Sequence, residues 1–334
     1  MKQCHCNIRL CLSALACAGS LFLGGGAQAQ LSLTQAGIDA GFSLTTFADN
    51  FPSTSTVGPL GIGFTSTGGV IVGDYPGNVR VFPTDTDGQH ANSVAVAQNY
   101  GIGNAVGIAQ AAGAFYMTRQ TIGDLVQIDA NGTFNQVIVG GMPTATGIIG
   151  NPNNGHIFVS TVTNNVIWDI DPIAKTKTVF KNVNADGLST DGVTLYATVS
   201  GHIIGFNLLN QAQTFDSGFI PNGPDGAAIG QGALAGNIFV NTNNGTLYGV
   251  NLTSLAQTLI ASGGSRGDFV AADPNGSLLV TQTDRVQRLT APTGGGFAQT
   301  PEPGSLALLV GVGITGSVFL KRRRKKAVTA SSIS

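Results

Sequence analysis

The side chains of this chain that could do chemistry are few, and most of them stand alone. The histidines His90, His156 and His202 show none of the spacings that metal sites use, and no Gly-x-Ser-x-Gly sequence marks a nucleophilic serine. All four cysteines fall within residues 4–17. The rest of the chain therefore has no thiol for a disulfide, a sulfur-bound metal or a cysteine nucleophile.

Aspartates are the remaining candidates, because hard cations such as calcium bind several carboxylate or carbonyl oxygens. Asp85-Thr86-Asp87-Gly88 begins like a calcium loop but lacks the later carboxylates. A turn is the simpler interpretation of this segment. Arg266-Gly267-Asp268 spells an adhesion tripeptide, but its glycine belongs to the repeat described below, so we interpret the match as accidental.

Charge and composition exclude one class of partner and indicate a class of fold. Between Gln30 and Gln299 the chain carries 8 lysines plus arginines against 16 aspartates, a net charge of −8. An acidic body without a basic patch repels nucleic acid, whose binding depends largely on phosphate contacts. Abundant Gly, Asn and Thr among steady Val, Ile, Leu and Phe indicate many short strands joined by tight turns.

An internal repeat organises this body. A glycine in a small or apolar context recurs at Gly61, Gly107, Gly147, Gly187, Gly226 and Gly267. The successive separations are 46, 40, 40, 39 and 41 residues, and apolar strands and turns follow most of the glycines. A period near 40 with about four short strands per unit is the sequence signature of a propeller blade. The sequence therefore predicts an all-β, six-bladed β-propeller over residues 30–298, with an open solenoid or a sandwich as the alternative.

The sixth repeat lacks the outer strand that the other five show. It runs into Gly294, Gly295 and Gly296 instead. The segment Phe42–Phe47 precedes the first blade and has no other predicted partner. We expect it to supply the missing strand, because joining the two chain ends in one blade removes an exposed sheet edge.

The six-copy pattern resembles the propellers of the NHL-repeat and senescence-marker/gluconolactonase groups. For the lactonase group, the resemblance implies a divalent cation in the central channel, held by a glutamate, asparagines and an aspartate. Asp186 and Asp225 fall where such channel-facing ligands could lie, with calcium as the implied cofactor. The family's Gly-Glu-Gly is matched by Gly61-Ile62-Gly63, however, and the body contains no glutamate. The implied catalytic site is therefore incomplete, and Asp-Gly at a strand entrance is also ordinary turn chemistry.

The N-terminus has the order of a secretory signal peptide. Lys2 and Arg9 precede an apolar run over residues 10–23, and Ala27-Gln28-Ala29 supplies small residues for cleavage after Ala29. The apolar run is shorter than the roughly 20 residues that a spanning helix prefers. We predict a signal peptide over residues 1–29.

The C-terminus predicts a single transmembrane helix. Residues 304–320 carry no charge, and a basic block follows at once. The block consists of Lys321, Arg322, Arg323, Arg324, Lys325 and Lys326. A stretch of this length is near the lower limit for spanning a bilayer, and the basic block would stay on the cytoplasmic side. The body would then lie outside.

Pro301, Glu302 and Pro303 stand directly before this helix, and Glu302 is the only glutamate of the chain. This order of parts over residues 299–334 resembles the PEP C-terminal sorting signal of Gram-negative bacteria. The resemblance implies an exosortase, a membrane-embedded cysteine transpeptidase, as partner. It also implies transient anchoring in the inner membrane, then release or transfer to the cell surface or extracellular matrix. The alternative is a chance Pro-Glu-Pro beside an ordinary tail anchor.

Two functions remain open for the body. The first is a non-catalytic binding propeller on the surface or in the matrix, with an extracellular polysaccharide as candidate partner. The second is a divalent-metal-dependent hydrolase of the gluconolactonase type that uses Asp186 and Asp225. The missing glutamate argues against the second.

Overall fold

The computed structural model of the chain describes residues 29–292, which form six sheets. Three short elements precede the first complete sheet: β1 (Ser32–Leu33), α1 (Gln35–Asp39) and β2 (Ser43–Asp49). Blade one contains β3 (Pro59–Phe64), β4 (Val70–Asp74), β5 (Asn78–Phe82) and β7 (Val96–Asn99); β6 (Gln89–His90) and a 3₁₀ helix (Ala91–Ser93) lie between the last two. Blade two contains β8 (Ile108–Ala111), β9 (Ala114–Arg119), β10 (Asp124–Ile128) and β11 (Phe134–Val139).

The remaining blades follow the same plan. Blade three contains β12 (Ala145–Gly150), β13 (Ile157–Thr161), β14 (Val166–Asp171) and β15 (Thr176–Asn182). Blade four contains β16 (Leu188–Thr190), β17 (Thr194–Val199), β18 (His202–Asn207) and β19 (Gln213–Asp216). Blade five contains β20 (Pro224–Ile229), a 3₁₀ helix (Gly232–Leu234), β21 (Asn237–Thr242), β22 (Leu247–Asn251) and β23 (Gln257–Ser262). Blade six contains β24 (Val270–Ala272), β25 (Leu278–Thr281) and β26 (Val286–Thr290).

The first strand of each blade lies innermost, and these strands close a ring. Contacts run from β3 to β8, β12, β16, β20 and β24 in turn, and from β24 back to β3. The predicted six-bladed propeller is therefore confirmed. We call the face where these inner strands begin the entry face and the face where they end the exit face.

The repeated glycines let neighbouring inner strands approach each other. A Cβ on Gly147 would lie 2.0 Å from the carbonyl oxygen of Asp186, and one on Gly187 would lie 2.2 Å from that of Asp225. No side chain fits at these distances, so close packing across the channel wall requires glycine here. The period that identifies the fold thus follows from a contact between blades.

Blade six is closed by the N-terminal segment, as predicted. Strand β2 pairs antiparallel with β26, with Ser43 opposite Thr290. Phe47 packs edge-to-face on Phe82 of blade one, at 5.3 Å between ring centroids. The sequence did not predict that β1 would extend blade five by pairing with β23, or that β6 would pair in parallel with β2.

The hydrophobic core lies between the blades, with one apolar cluster at each of the six interfaces. In one cluster, Phe158 and Ile167 of blade three pack against Leu195 and Phe206 of blade four. Each blade is therefore stabilised on both faces by its neighbours, as a closed ring requires.

A 13-residue insertion over residues 83–95 separates β5 from β7 and accounts for the longer first repeat. It also explains Asp85 and Asp87, because both carboxylates bind the guanidinium of Arg288 on β26. Arg288 Nε donates to Asp87 Oδ1 at 2.7 Å, Nη2 donates to Asp85, and Nη1 donates to Asp273 Oδ2 at 2.6 Å. The interpretation of this segment as a turn agrees with the structure, and the turn connects blade one to blade six through these hydrogen bonds.

The predicted sorting motif, transmembrane helix and basic block lie outside the described residues, as does the predicted signal peptide apart from Ala29. Within residues 29–292, no helix is long and apolar enough to cross a membrane.

Candidate functional site

The channel entrance on the entry face is lined by the residue directly before each repeated glycine. These residues are Leu60, Val106, Thr146, Asp186, Asp225 and Arg266. They surround a cavity of about 250 Å³, and we call them the entrance ring. Blades one and two contribute apolar side chains, whereas blades three to six contribute a hydroxyl, two carboxyls and a guanidinium.

Contacts between adjacent blades position the two carboxyl groups. The Gly187 N–H donates to the carbonyl of Asp225 at 3.1 Å, which fixes the start of β20 against the start of β16. The Ser160 hydroxyl donates to the carbonyl of Asp186 at 2.6 Å. Both aspartates are thereby held by their backbones, and their side chains meet in a direct hydrogen bond.

The two carboxyl groups share one proton. Burial raises the pKa of Asp225 well above its ordinary value of 3.8, and the negative charges of Asp186 and Asp268 raise it further, against the opposing effect of Arg266. Burial also raises the pKa of Asp186, although hydrogen bonds from Thr146 and Asp225 lower it in part. Asp225 is therefore the expected donor in the hydrogen bond to the Asp186 carboxylate, as for other pairs of adjacent buried acids.

A cation completes the polar half of the ring. The Arg266 guanidinium donates to Asp268 Oδ1 from Nε at 2.7 Å and from Nη2 at 2.5 Å. Its Nη2 also lies 3.9 Å from Asp225 Oδ2. The hydrogen bonds to Asp268 raise the pKa of Arg266 above its already high value, so the positive charge is permanent. The tripeptide Arg266-Gly267-Asp268 is folded into the channel and is not displayed as a loop.

Two further side chains stand over the ring. Tyr75 and Gln120, each half-buried, come from the loops between the second and third strands of blades one and two. Tyr75 therefore places an aromatic ring beside the apolar half of the entrance.

Asp186 and Asp225, the two residues proposed from the sequence, are thus brought together at the entrance. Ile62, which matched the family glutamate, is not there: it lines a separate apolar cavity of about 490 Å³ toward the exit face. Distance along the strand explains the difference, since Ile62 lies two residues, or roughly 7 Å, further along β3 than the ring residue Leu60. Sequence reasoning also missed Arg266 and Asp268. It assigned Gly267 to the repeat, but Phe269 holds the glycine position in blade six, since the Phe269 N–H donates to Thr281 Oγ1 as the Gly187 N–H donates to Thr198 Oγ1.

The ring offers few ligands for a metal. Leu60 and Val106 have no donor atoms, and a cation at the carboxyl pair would have to displace its proton and approach Arg266. Across residues 29–292, no group of three or more histidine, cysteine, aspartate or glutamate side chains is placed to hold a metal ion. Calcium binding by Asp186 and Asp225 stays a prediction.

The three histidines among residues 29–292 lie in three different parts of the ring. Each Nδ1 pairs with one aspartate: His90 with Asp49 at 2.6 Å, His156 with Asp169 at 2.8 Å, and His202 with Asp216 at 2.8 Å. These pairs link neighbouring strands at the periphery and contribute nothing to the entrance ring.

The sequence matches no protein-family model and no curated protein. The fold, however, is similar to that of several solved six-bladed structures. A gluconolactonase from Xanthomonas campestris superposes with a TM-score of 0.61 at 15% identity, covering 78% of this chain and 95% of its own. A protein described as a candidate glucose dehydrogenase from Thermus thermophilus gives 0.57 at 17% identity, covering 75% and 100%.

A third similar structure is one chain of a nidogen–laminin complex, with a TM-score of 0.53 at 12% identity, covering 74% of this chain and 96% of its own. At these identities the similarity shows the fold alone. This chain is a closed six-bladed propeller with a half-apolar, half-charged channel entrance. The solved structures that share its fold include named enzymes and one chain of a protein complex, so the fold alone does not choose a function.

Proposed function

We propose that the chain is an exported propeller, sorted through its C-terminal tail by an exosortase-type system, that binds a small polyhydroxylated ligand at the entrance ring without catalysis. The sorting motif and the basic block carry the first part of the proposal. One structural observation supports removal of the N-terminal segment: Leu31 is 2% exposed and donates its N–H to Gln287, whereas Ala29 and Gln30 are exposed. Cleavage after Ala29 would leave the buried Leu31 and its hydrogen bond in place.

The division of the entrance ring carries the second part. A sugar ring presents hydroxyl groups at its edge and C–H groups on its faces. The Asp186 carboxylate accepts and the Arg266 guanidinium donates hydrogen bonds, which suits hydroxyls. Leu60, Val106 and Tyr75 offer an apolar surface on the opposite side. Similar structures named for glucose-derived substrates support the same ligand class, and a sugar unit of an extracellular polysaccharide is the natural form of such a ligand.

Calorimetric titration with uncharged hexoses and their methyl glycosides tests the binding. We expect a saturable heat of binding. Arg266→Gln or Tyr75→Ala should weaken the apparent affinity about tenfold or more, because each removes one side of the ring. Lys175→Ala, at an exposed turn on the exit face, serves as the control and should leave binding unchanged. Heats that do not saturate, or that the ring variants leave unchanged, would contradict the proposed site.

A metal-dependent lactonase is the second candidate, because Asp186 and Asp225 do meet at the entrance and a gluconolactonase shares the fold. The permanent charge of Arg266 and the shared proton count against it. Hydrolysis of glucono-lactone that depends on added calcium and disappears in Asp186→Asn would favour this candidate over non-catalytic binding.

A further inference from the structure

Three turns on the exit face present aliphatic side chains to solvent. Ile173 is 78% exposed, Val193 is 64% exposed and Leu209 is 96% exposed. They lie in neighbouring blades three and four, and the turns of Val193 and Leu209 adjoin, because the Leu208 N–H donates to the Val193 carbonyl at 2.9 Å. We call these three residues the tip patch.

Each turn has the same construction. The N–H of Ile173 donates to Oδ1 of Asp171, that of Val193 to Oδ1 of Asp191, and that of Leu209 to Oδ1 of Asn207, at 2.8–2.9 Å. The acceptor side chain fixes the turn, and the residue two positions later stands at its tip. The same turn carries a polar tip elsewhere, at Asn131, Asn153, Thr253 and Asn275. The turn does not require an aliphatic tip, so the three aliphatic tips need another explanation.

The chain also leaves the propeller on the exit face. Pro292 follows β26 and lines a cleft with Gly232 and Asn275, which belong to turns between the first and second strands of blades five and six. Residues 293–303 span at most about 40 Å when extended. The uncharged stretch 304–320 then begins. A bilayer that holds this stretch would therefore lie within about 40 Å of Pro292, which is on the same face as the tip patch.

We propose that the tip patch rests on the lipid bilayer in which the tail is anchored, so that the entrance ring points away from the membrane. The inference rests on the proposed membrane anchor and adds an orientation to it. Single exposed aliphatics are ordinary on protein surfaces. Three on rigid turns of the face from which the apolar tail leaves match an interfacial contact. The Asp171 and Asp191 carboxylates accept hydrogen bonds from backbone N–H groups of their own turns, so their charges oppose contact with the bilayer only weakly.

Site-specific fluorescence in the tailed chain, residues 30–334, tests the orientation. This chain contains no cysteine, so Leu209→Cys can be labelled alone with a polarity-sensitive dye. Phe219→Cys is the matched control, because Phe219 is 66% exposed on the entry face, near the Gly201 turn. Both are reconstituted in phosphatidylcholine vesicles with nitroxide-labelled lipid. We expect the Leu209 label to be quenched about threefold more than the Phe219 label. Adding Ile173→Ser and Val193→Ser to the Leu209-labelled chain should reduce this difference.

Equal quenching of the two labels, or stronger quenching at Phe219, would overturn the orientation while leaving the anchor intact. A chain that fails to float with the vesicles would contradict the anchor itself, and the orientation with it. The Leu209 label could instead report an apolar environment without nitroxide quenching, in a particle of twice the mass of one chain. That result would overturn the membrane contact and show that a second copy covers the patch.

Discussion

At the scale of the residue, one position per blade sets the chemistry of the channel entrance. In blades one to five the residue before the repeated glycine faces the channel, whereas in blade six Phe269 takes the place of that glycine and Asp268 precedes it. Apolar residues occupy the position in blades one and two, Asp186 and Asp225 occupy it in blades four and five, and Arg266 reaches the channel from two residues before Asp268. Changing the site does not require changing the fold, as is general for propellers.

The shared proton makes the stability of the chain depend on pH in an unusual direction. A folded-state pKa of Asp225 well above 3.8 means that the folded chain holds one more proton than the unfolded chain at every pH between those values. The free energy of unfolding should therefore fall as pH rises from about 3.8 to the folded pKa. Asp225→Asn removes this titration while its amide still donates to Asp186. The melting temperature of the variant, relative to the natural chain, should rise between pH 4 and pH 8.

Asp171 provides the control of opposite sign. Hydrogen bonds from the Ala174 and Ile173 backbones lower its pKa, so its contribution is present at neutral pH and disappears on acidification. Asp171→Asn should therefore cost stability at pH 7, and this cost should shrink as the pH falls below about 3.8. A constant difference between Asp225→Asn and the natural chain across this range would show that Asp225 is ionised in the fold.

At the scale of the element, two segments close the ring by contacting strand β26. Strand β2 supplies the outer strand of blade six, and the insertion over residues 83–95 binds Arg288 with Asp85 and Asp87. The side chain of Arg288 is 8% exposed and also lies over Phe47, at 5.5 Å from the ring centroid. One guanidinium thus joins β26, the insertion and β2.

Arg288→Ala should destabilise the fold by about 3–5 kcal/mol, because it leaves the buried Asp273 carboxylate and its neighbours without a counter-charge. Chemical denaturation monitored by tryptophan fluorescence of Trp168 measures this loss. Lys175→Ala, which removes an exposed cation, should change stability by no more than about 0.5 kcal/mol. Equal effects of the two substitutions would show that the closure does not depend on Arg288.

The sequence predicted elements well where a repeat or a missing partner was visible. The six blades followed from the glycine period, and β2 followed from the absent outer strand of the sixth copy. Strand β1 was not predictable, because Ser32–Leu33 is too short to show a pattern and its pairing with β23 spans most of the chain. The role of Asp85 and Asp87 was equally hidden, since Arg288 lies about 200 residues away in sequence.

The same limits apply to the site. Asp186 and Asp225 stood out because carboxyl groups preceded repeated glycines. Arg266 and Asp268 did not stand out, because the glycine between them was assigned to the repeat, whereas Phe269 holds that position in the fold. Ile62, which the sequence aligned with the family glutamate, lies two residues beyond the ring residue Leu60. A shared proton depends on burial and on neighbouring charges, neither of which a sequence pattern contains.

At the scale of the whole molecule, the two faces of the propeller have different surroundings under our proposals. The entry face holds the entrance ring, and the exit face carries the tip patch and releases the tail. An exported body of net charge −8 would then expose its binding site to the surroundings and its anchor to the membrane.

The central claim is that the carboxyl pair of the entrance ring holds a proton and not a metal ion. The melting temperature of the chain, measured at pH 7 over a calcium titration into the millimolar range, tests it most directly. Because a bound cation stabilises a fold as its concentration passes the dissociation constant, we predict a flat curve for the natural chain and for Asp186→Asn. A saturable rise in the natural chain that is lost in Asp186→Asn would contradict the claim and favour a metal-dependent enzyme.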